Sequence, residues 1–298
     1  MLPTTRIRYL LLACLLLVIA ALPCLADDGD RLIFSHREAR TFDQMIEELG
    51  RADVVVVGEQ HDHKQGHALE LEILKGLQVH NAEVALSLEM FERDVQLVLD
   101  EYLADQITQS SFLAASRPWP NYATDYAPMV EFCKANKLPI IAANAPRRYV
   151  NIASRKGQSA LLELSKASQS YLPKLPYSMD LPPEYNQALD EIFGNHNAGS
   201  GTQPAAQGQP PYMKEGQALW DATMADSIQR GRKMYPKRLI LQMNGSMHSD
   251  SGYGLVDRLR KANPKLKVAV VSIKPDAAYP NVDASKYESI GDFVILTK

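Results

Sequence analysis

Asp53-Val54-Val55-Val56-Val57-Gly58-Glu59-Gln60-His61-Asp62-His63-Lys64-Gln65-Gly66-His67 is the stretch whose reading decides the fold. Four consecutive valines bounded by Gly58 form a short, unalternating apolar run, the pattern of a strand covered on both faces. A central parallel strand is the expectation. Glu59, His61, His63 and His67 follow it directly, and in open α/β sheets the carboxyl ends of such strands are where ligands sit. A helix starting near Asp62 would place His63 and His67 on one face, with Glu70 a turn beyond, able to bind a metal or shuttle protons. The plainer alternative is a solvated helix start capped by Asp62.

Outward from this stretch, strand and helix patterns alternate. Thr41 to Leu49 reads as a helix capped by Thr41 and stopped by Gly50. Lys64 to His80 is a second helix, with Leu69, Ile73 and Leu77 as its buried stripe. Val84–Met90, Leu138–Ala143, Arg238–Met243, Lys267–Ile273 and Asp292–Thr297 read as further strands, and Asp94–Ile107, Met129–Asn136, Tyr212–Arg232 and Leu255–Ala262 as helices. The prolines of Arg117–Pro128 (RPWPNYATDYAP) exclude a regular helix or central strand there. The expected fold is α/β: a mainly parallel sheet with right-handed crossovers flanked by helices. A helical or irregular insertion occupies residues 157–211, in which 194–211 reads as a mobile loop.

The amino terminus carries Arg6 and Arg8, an apolar run from Tyr9 to Leu22 and a small-residue Cys24-Leu25-Ala26 site. This pattern reads as a signal peptide over residues 1–26, which leaves 27–298 as one exported, periplasmic α/β domain. The apolar run is short against the ~20 residues of a membrane span. Leu11-Leu12-Ala13-Cys14 resembles a lipobox, but cleavage there would leave an apolar tail, so a lipid anchor is the weaker reading. Cys133 is then the single remaining thiol, and no internal disulfide is expected. With a formal charge of −3, the chain has no basic excess that would suit nucleic acid.

A glycine followed three residues later by histidine ends two strands, as Gly58-Glu59-Gln60-His61 and Gly245-Ser246-Met247-His248. With Glu89 from a third strand end, Glu59, His61, Glu89 and His248 form a set that could hold a divalent metal or act as acid and base. Simple hydrogen bonding to neighbouring loops is the alternative.

The segments VVVVGEQHDHKQGH, SLEMFERDVQ, RPWPNYATDYAPMVEF, NAPRRYV, ALWDATMADSI and NGSMH, in this order from Asp53 to His248, resemble the ChaN-type haem-binding uptake proteins of the Tiki superfamily, iron-regulated proteins of bacterial envelopes. The resemblance implies haem binding in haem or iron acquisition or trafficking, with a binding protein favoured over an enzyme, and the lack of a cytochrome-type attachment motif implies that the haem is held non-covalently. An outer-membrane haem receptor or other uptake component would be its partner, and a homodimer its assembly. Related families include hydrolases, so a metal-dependent esterase or peptidase using Glu59, His61, Glu89 and His248 is the alternative. Haem requires an axial ligand, cations for its propionates and flat apolar walls. Tyr149, flanked by Arg147 and Arg148, offers ligand and cations together. Tyr122, Tyr126 and Trp119 could add a second ligand or a stacking wall, although aromatics on such a segment also serve ordinary packing.

Overall fold

The valine run is fully buried, and its alternating side chains go to opposite faces of a sheet. In the computed structural model, which describes residues 30–80, 83–193 and 210–298, Val55 and Val57 join one apolar cluster while Val54 and Val56 join another. Eight strands make that sheet: β1 (Arg31–Ser35), β2 (Glu38–Arg40), β3 (Val54–Glu59), β4 (Val84–Glu92), β5 (Ile140–Asn144), β6 (Leu239–Gly245), β7 (Val268–Pro275) and β8 (Phe293–Thr297). Their spatial order is β2-β1-β8-β7-β3-β6-β4-β5. From β8 to β5 every pairing is parallel, and β3 lies between β6 and β7, as the unbroken valine run predicts.

Helices cover both faces. Phe42–Leu49, Lys64–His80, Gln96–Leu103 and Ala127–Ala135 pack on the Val55/Val57 side, whereas Met213–Met234 and Gly254–Ala262 pack on the Val54/Val56 side. The helix after β3 therefore leaves toward one face and the helix after the neighbouring strand β6 toward the other. Such a divergence opens a crevice at the carboxyl edge of the sheet, the place where doubly wound folds bind ligands.

Thr41 caps its helix as read, accepting from the Gln44 amide in a reciprocal capping box. The structure departs from or adds to the sequence reading at three places. The hairpin of β1 and β2 has no counterpart in the sequence analysis, because its turn places His36 and Arg37 at positive φ where Asn-Gly would have been the local signal. The helix expected to run to Ile107 stops at Leu103, with Asp105 in the left-handed region at φ 57° just beyond it. The proline-rich crossing contains a helical turn, Tyr122–Asp125, and Pro128 sits in the first turn of Ala127–Ala135, where its missing N–H costs nothing.

The expected signal peptide, the lipobox alternative and all of the expected loop except residues 210 and 211 lie outside the described residues. Before that loop, the insertion holds a 3₁₀ segment, Gln158–Glu163, and the helices Lys166–Gln169 and Pro183–Phe193. Among the described residues, no helix is long and apolar enough to cross a membrane. Cys133 is buried and unbridged, and burial pushes its thiol up to about 12.

Gly58 is where the sheet touches the turn that carries His248. A Cβ there would lie 2.7 Å from Ser249 Oγ and 3.0 Å from Ser246 Cα. Gly58→Ala should therefore cost about 1–3 kcal/mol, as overpacked cores do. Chemical denaturation at an unchanged m-value checks this, and a variant as stable as the parent would show that the turn yields freely.

Candidate functional site

The two Gly-x-x-His turns lock into each other at the ends of adjacent strands. β3 and β6 pair through Glu59 opposite Gly245, so each glycine faces the other motif. Gly58 leaves room for the Ser246–Ser249 backbone, and Gly245 leaves room for the His61 ring, whose Cε1 and Nε2 would stand 2.8 Å from an added Cβ. Larger residues at either point would pry the strand ends apart. Glycine spacing here reflects close approach of backbone and ring.

Glu59 is 2 % exposed and is the hub. Its Oε1 accepts from Tyr126 Oη at 2.7 Å and pairs with His61 Nδ1 at 2.6 Å. Its Oε2 faces His67 Nδ1 at 3.3 Å. Burial opposes ionisation of Glu59, but hydrogen bonds with Glu70, His61 and His67 prevail and hold it well below the usual carboxylate range. His67 Nδ1 also meets Glu70 Oε2 at 3.0 Å, while Nε2 donates to the His61 carbonyl at 3.2 Å. Burial works against the His67 charge, and the two carboxylates push its pKa up to about 11. Glu70 shifts the opposite way from Glu59: full burial and the adjacent Glu59 charge raise it well above the ordinary value. Like charges this close, both out of water, divide into one ionised and one protonated carboxyl.

A second cluster mirrors the first across β6. β4 breaks register between Leu88 and Glu92, and at that irregularity Glu89 accepts from the Gly245 amide at 2.7 Å instead of continuing the ladder. Its other oxygen lies 3.5 Å from His248 Nε2, and His248 Nδ1 meets Asp221 Oδ1 at 2.6 Å. Asp221, fully buried in the helix Met213–Met234, also accepts from Tyr185 Oη at 2.8 Å. Burial alone would discharge His248. The Glu89 charge and the Asp221 hydrogen bond outweigh it and push the pKa up to about 10. Burial likewise opposes the Glu89 charge, yet His248 and His61 hold it below the ordinary value.

The structure thus gathers Glu59, His61, Glu89 and His248 at one sheet edge, as two His–carboxylate pairs on either side of β6. Among the described residues, however, the group whose donor atoms all fall within 4.8 Å of one another is Glu59, His67 and Glu70. His63 departs from the face it was expected to share with His67 and pairs with Thr297 Oγ1 at 2.9 Å. Sequence reasoning named His67 and Glu70 only as a possible helix face and gave Asp221 no role. The usable signal was a charged residue inside an apolar stripe: Glu70 among Leu69, Ile73 and Leu77, and Asp221 between Leu219 and Met224.

Outside these pairs lies an open cleft of about 1260 Å³, bordered by His61, His248, Trp119, Trp220 and the helix Arg147–Lys156. Trp119 stands edge-on to the His61 ring with centroids 4.9 Å apart. Arg147, Asn151 and Arg155 line the wall at successive turns of one helix face. Arg148 is held by Asp94, which also binds Arg117. Arg147 and Arg155 are exposed and have no ion-pair partner among the described residues.

Of the residues read as haem contacts, Arg147, Arg148 and Trp119 line this cleft. The three tyrosines are buried. Tyr122 packs against Phe91 and Phe112, and burial raises its phenol. Tyr126 is bound to Glu59, and burial with that carboxylate raises its phenol further. Tyr149 is 7 % exposed, with the Arg148 guanidinium 4.5 Å above its ring and 3.4 Å from its hydroxyl.

A mainly parallel α/β sheet with charged pairs and aromatic walls at its carboxyl edge has the architecture of α/β proteins that bind ligands at that edge. The chain belongs to the haem-binding uptake family ChaN of the Tiki superfamily, whose profile matches residues 45–259. ChaN of Campylobacter jejuni, described as binding haem cofacially, is similar in fold at a TM-score of 0.65 and 20 % identity, over 91 % of this chain and 98 % of that one. The type III effector HopBA1 is more distant, at a TM-score of 0.46 and 11 % identity over 85 % of this chain and 91 % of its own. The chloroplastic protein RETICULATA-RELATED 5 of Arabidopsis thaliana is 24 % identical over 78 % of this chain, which spans 32 % of that protein's length. Membership in a haem-binding family supports a haem-binding role and does not favour the hydrolase alternative.

The shifted groups make stability depend on pH. An imidazolium favoured by the fold stabilises fully below the ordinary histidine value of 6.5 and loses its contribution as pH rises toward about 10. Glu89, held below its ordinary 4.5, contributes above that value and loses the contribution as pH falls. Melting temperature should therefore decline from pH 6.5 to pH 10, and His248→Gln should flatten this limb. An unchanged slope in that variant would assign the alkaline loss to other groups.

Proposed function

We propose that this protein binds haem in the Trp119/Trp220 cleft and serves haem or iron acquisition outside the cytoplasm. Family membership supports the ligand, and the cleft's chemistry supports its place. Haem, when bound there, would supply an iron that takes an axial donor, and His61 is the donor that the cleft presents. Its Nδ1 is engaged by Glu59 and its Nε2 has no hydrogen-bond partner among the described residues. A carboxylate on the far ring nitrogen fixes the tautomer and strengthens the imidazole as a ligand. Trp119 and Trp220 give the apolar wall. Arg147 and Arg155, without carboxylate partners among the described residues, suit the propionates.

Tyr149 is the competing axial donor, with its hydroxyl beside Arg148, itself a lining residue. The cleft is open to solvent, and a second copy of the chain closing over it is part of the proposal. Export with removal of residues 1–26, and delivery from an outer-membrane haem receptor or other uptake component, belong to the same proposal.

Haemin titration of the purified protein, followed by its Soret absorption, should saturate at a defined stoichiometry. His61→Ala should change the ferric spectrum and weaken binding by at least about tenfold, the usual scale for losing a ligand or its support. Arg147→Glu with Arg155→Glu should weaken binding without moving the bands. A spectrum unchanged in His61→Ala but lost in Tyr149→Phe would transfer the axial role to Tyr149. No saturable binding would defeat the haem reading.

A further inference from the structure

The trio Glu59, His67 and Glu70 has the makings of a second site, set behind the cleft rather than in it. Glu59 ends β3, and His67 and Glu70 sit at i and i+3 on the following helix. All three are at least nine-tenths buried, at 2 %, 4 % and 0 % exposure. The Nε2 of His67 donates to the His61 carbonyl, which leaves Nδ1 aimed at both carboxylates. Two buried carboxylate oxygens, Glu59 Oε2 and Glu70 Oε1, make no well-aligned hydrogen bond, Glu59 Oε2 having His67 Nδ1 at 3.3 Å as its neighbour. Orphaned acceptors in a dry interior are costly unless something positive satisfies them.

We propose that this trio is a buried site for one divalent first-row transition metal. Two carboxylates and a neutral imidazole around a doubly charged ion sum to zero, which removes the penalty of burying either carboxylate alone. One nitrogen and two oxygens suit manganese, iron or zinc. With three side chains the set is too small for the six to eight oxygens calcium requires. The outer contacts are those of a metal centre: the second ring nitrogen of His67 is tied to a backbone carbonyl, and the second oxygen of Glu59 is held by Tyr126. The inference does not depend on haem. It nevertheless joins the two sites, because the Glu59 oxygen facing away from the trio is the one that orients His61.

The test is metal content of haem-free protein. The full-length exported form would be expressed in medium supplemented separately with manganese, iron or zinc, dialysed against weak chelator, and analysed by elemental mass spectrometry. About one equivalent of one metal per chain is expected in the parent and in His248→Ala, whose side chain meets Glu89 and Asp221 rather than the trio. His67→Gln and Glu70→Gln should each retain below about a tenth of that, with circular dichroism reporting the fold. Cobalt substitution should give visible d–d bands in the parent that disappear in Glu70→Gln, a readout independent of yield. Three results would overturn the proposal: no retained metal in the parent, equal retention in His67→Gln and Glu70→Gln, or loss in His248→Ala with retention in both of those variants.

Discussion

A single buried carboxylate holds the carboxyl edge of this sheet together. Glu59 leaves water almost completely, and the cost of doing so is offset by a phenol and two imidazoles that come from three separate segments of chain. Tyr126 brings in the proline-rich crossing, His67 brings in the helix that follows β3, and His61 turns outward to the cleft. Because every one of these groups meets the same carboxylate, none can move without unpairing a buried polar atom. The ionised state of Glu59 and the position of His61 are therefore one property rather than two.

The opposite wall repeats the principle with different residues. Asp221 and Glu89 hold His248 from two sides, and the same Glu89 replaces a ladder partner for the Gly245 amide. The bulge in β4 matters for this reason: a regular strand would carry Glu89 past Gly245, whereas the irregular one turns it across the top of β6. The two clusters are thus built on adjacent parallel strands whose glycines permit contact. Between them they hold one exposed imidazole, that of His61, and two buried ones, those of His67 and His248.

What could be read in the sequence was whatever has a local period. The valine run, the five other apolar strands and the Leu69, Ile73, Leu77 stripe each encode their burial in neighbouring residues, so fold class and the sheet edge as candidate site followed from pattern. The set Glu59, His61, Glu89 and His248 was legible because each lies close to the carboxyl end of a strand, at it or just beyond it. Partnerships across the sheet were not. Tyr126 reads as one more aromatic on a loop, and nothing within ten residues of it announces Glu59, 67 positions away. Tyr149 illustrates the converse: a sequence neighbour such as Arg148 was correctly placed beside it, but whether the pair faced the cleft depended on helices far away in sequence, such as Met213–Met234. The β1–β2 hairpin escaped notice because its turn uses His36 and Arg37, residues without a turn signature.

That hairpin also sets the timing of assembly. β1 is hydrogen-bonded to β8, with Arg31 opposite Thr297, so the two ends of the described chain are partners in one ladder. Loop closure of this span is paid once and late, since the pairing has the greatest sequence separation the sheet contains. Of the eight described strands β1 and β2 come first in the chain, and β1 lacks this partner until β8, the last of the eight, has been made. β1 covers the outer edge of β8, so on this side of the sheet the short β2, rather than the apolar β8, is the edge strand.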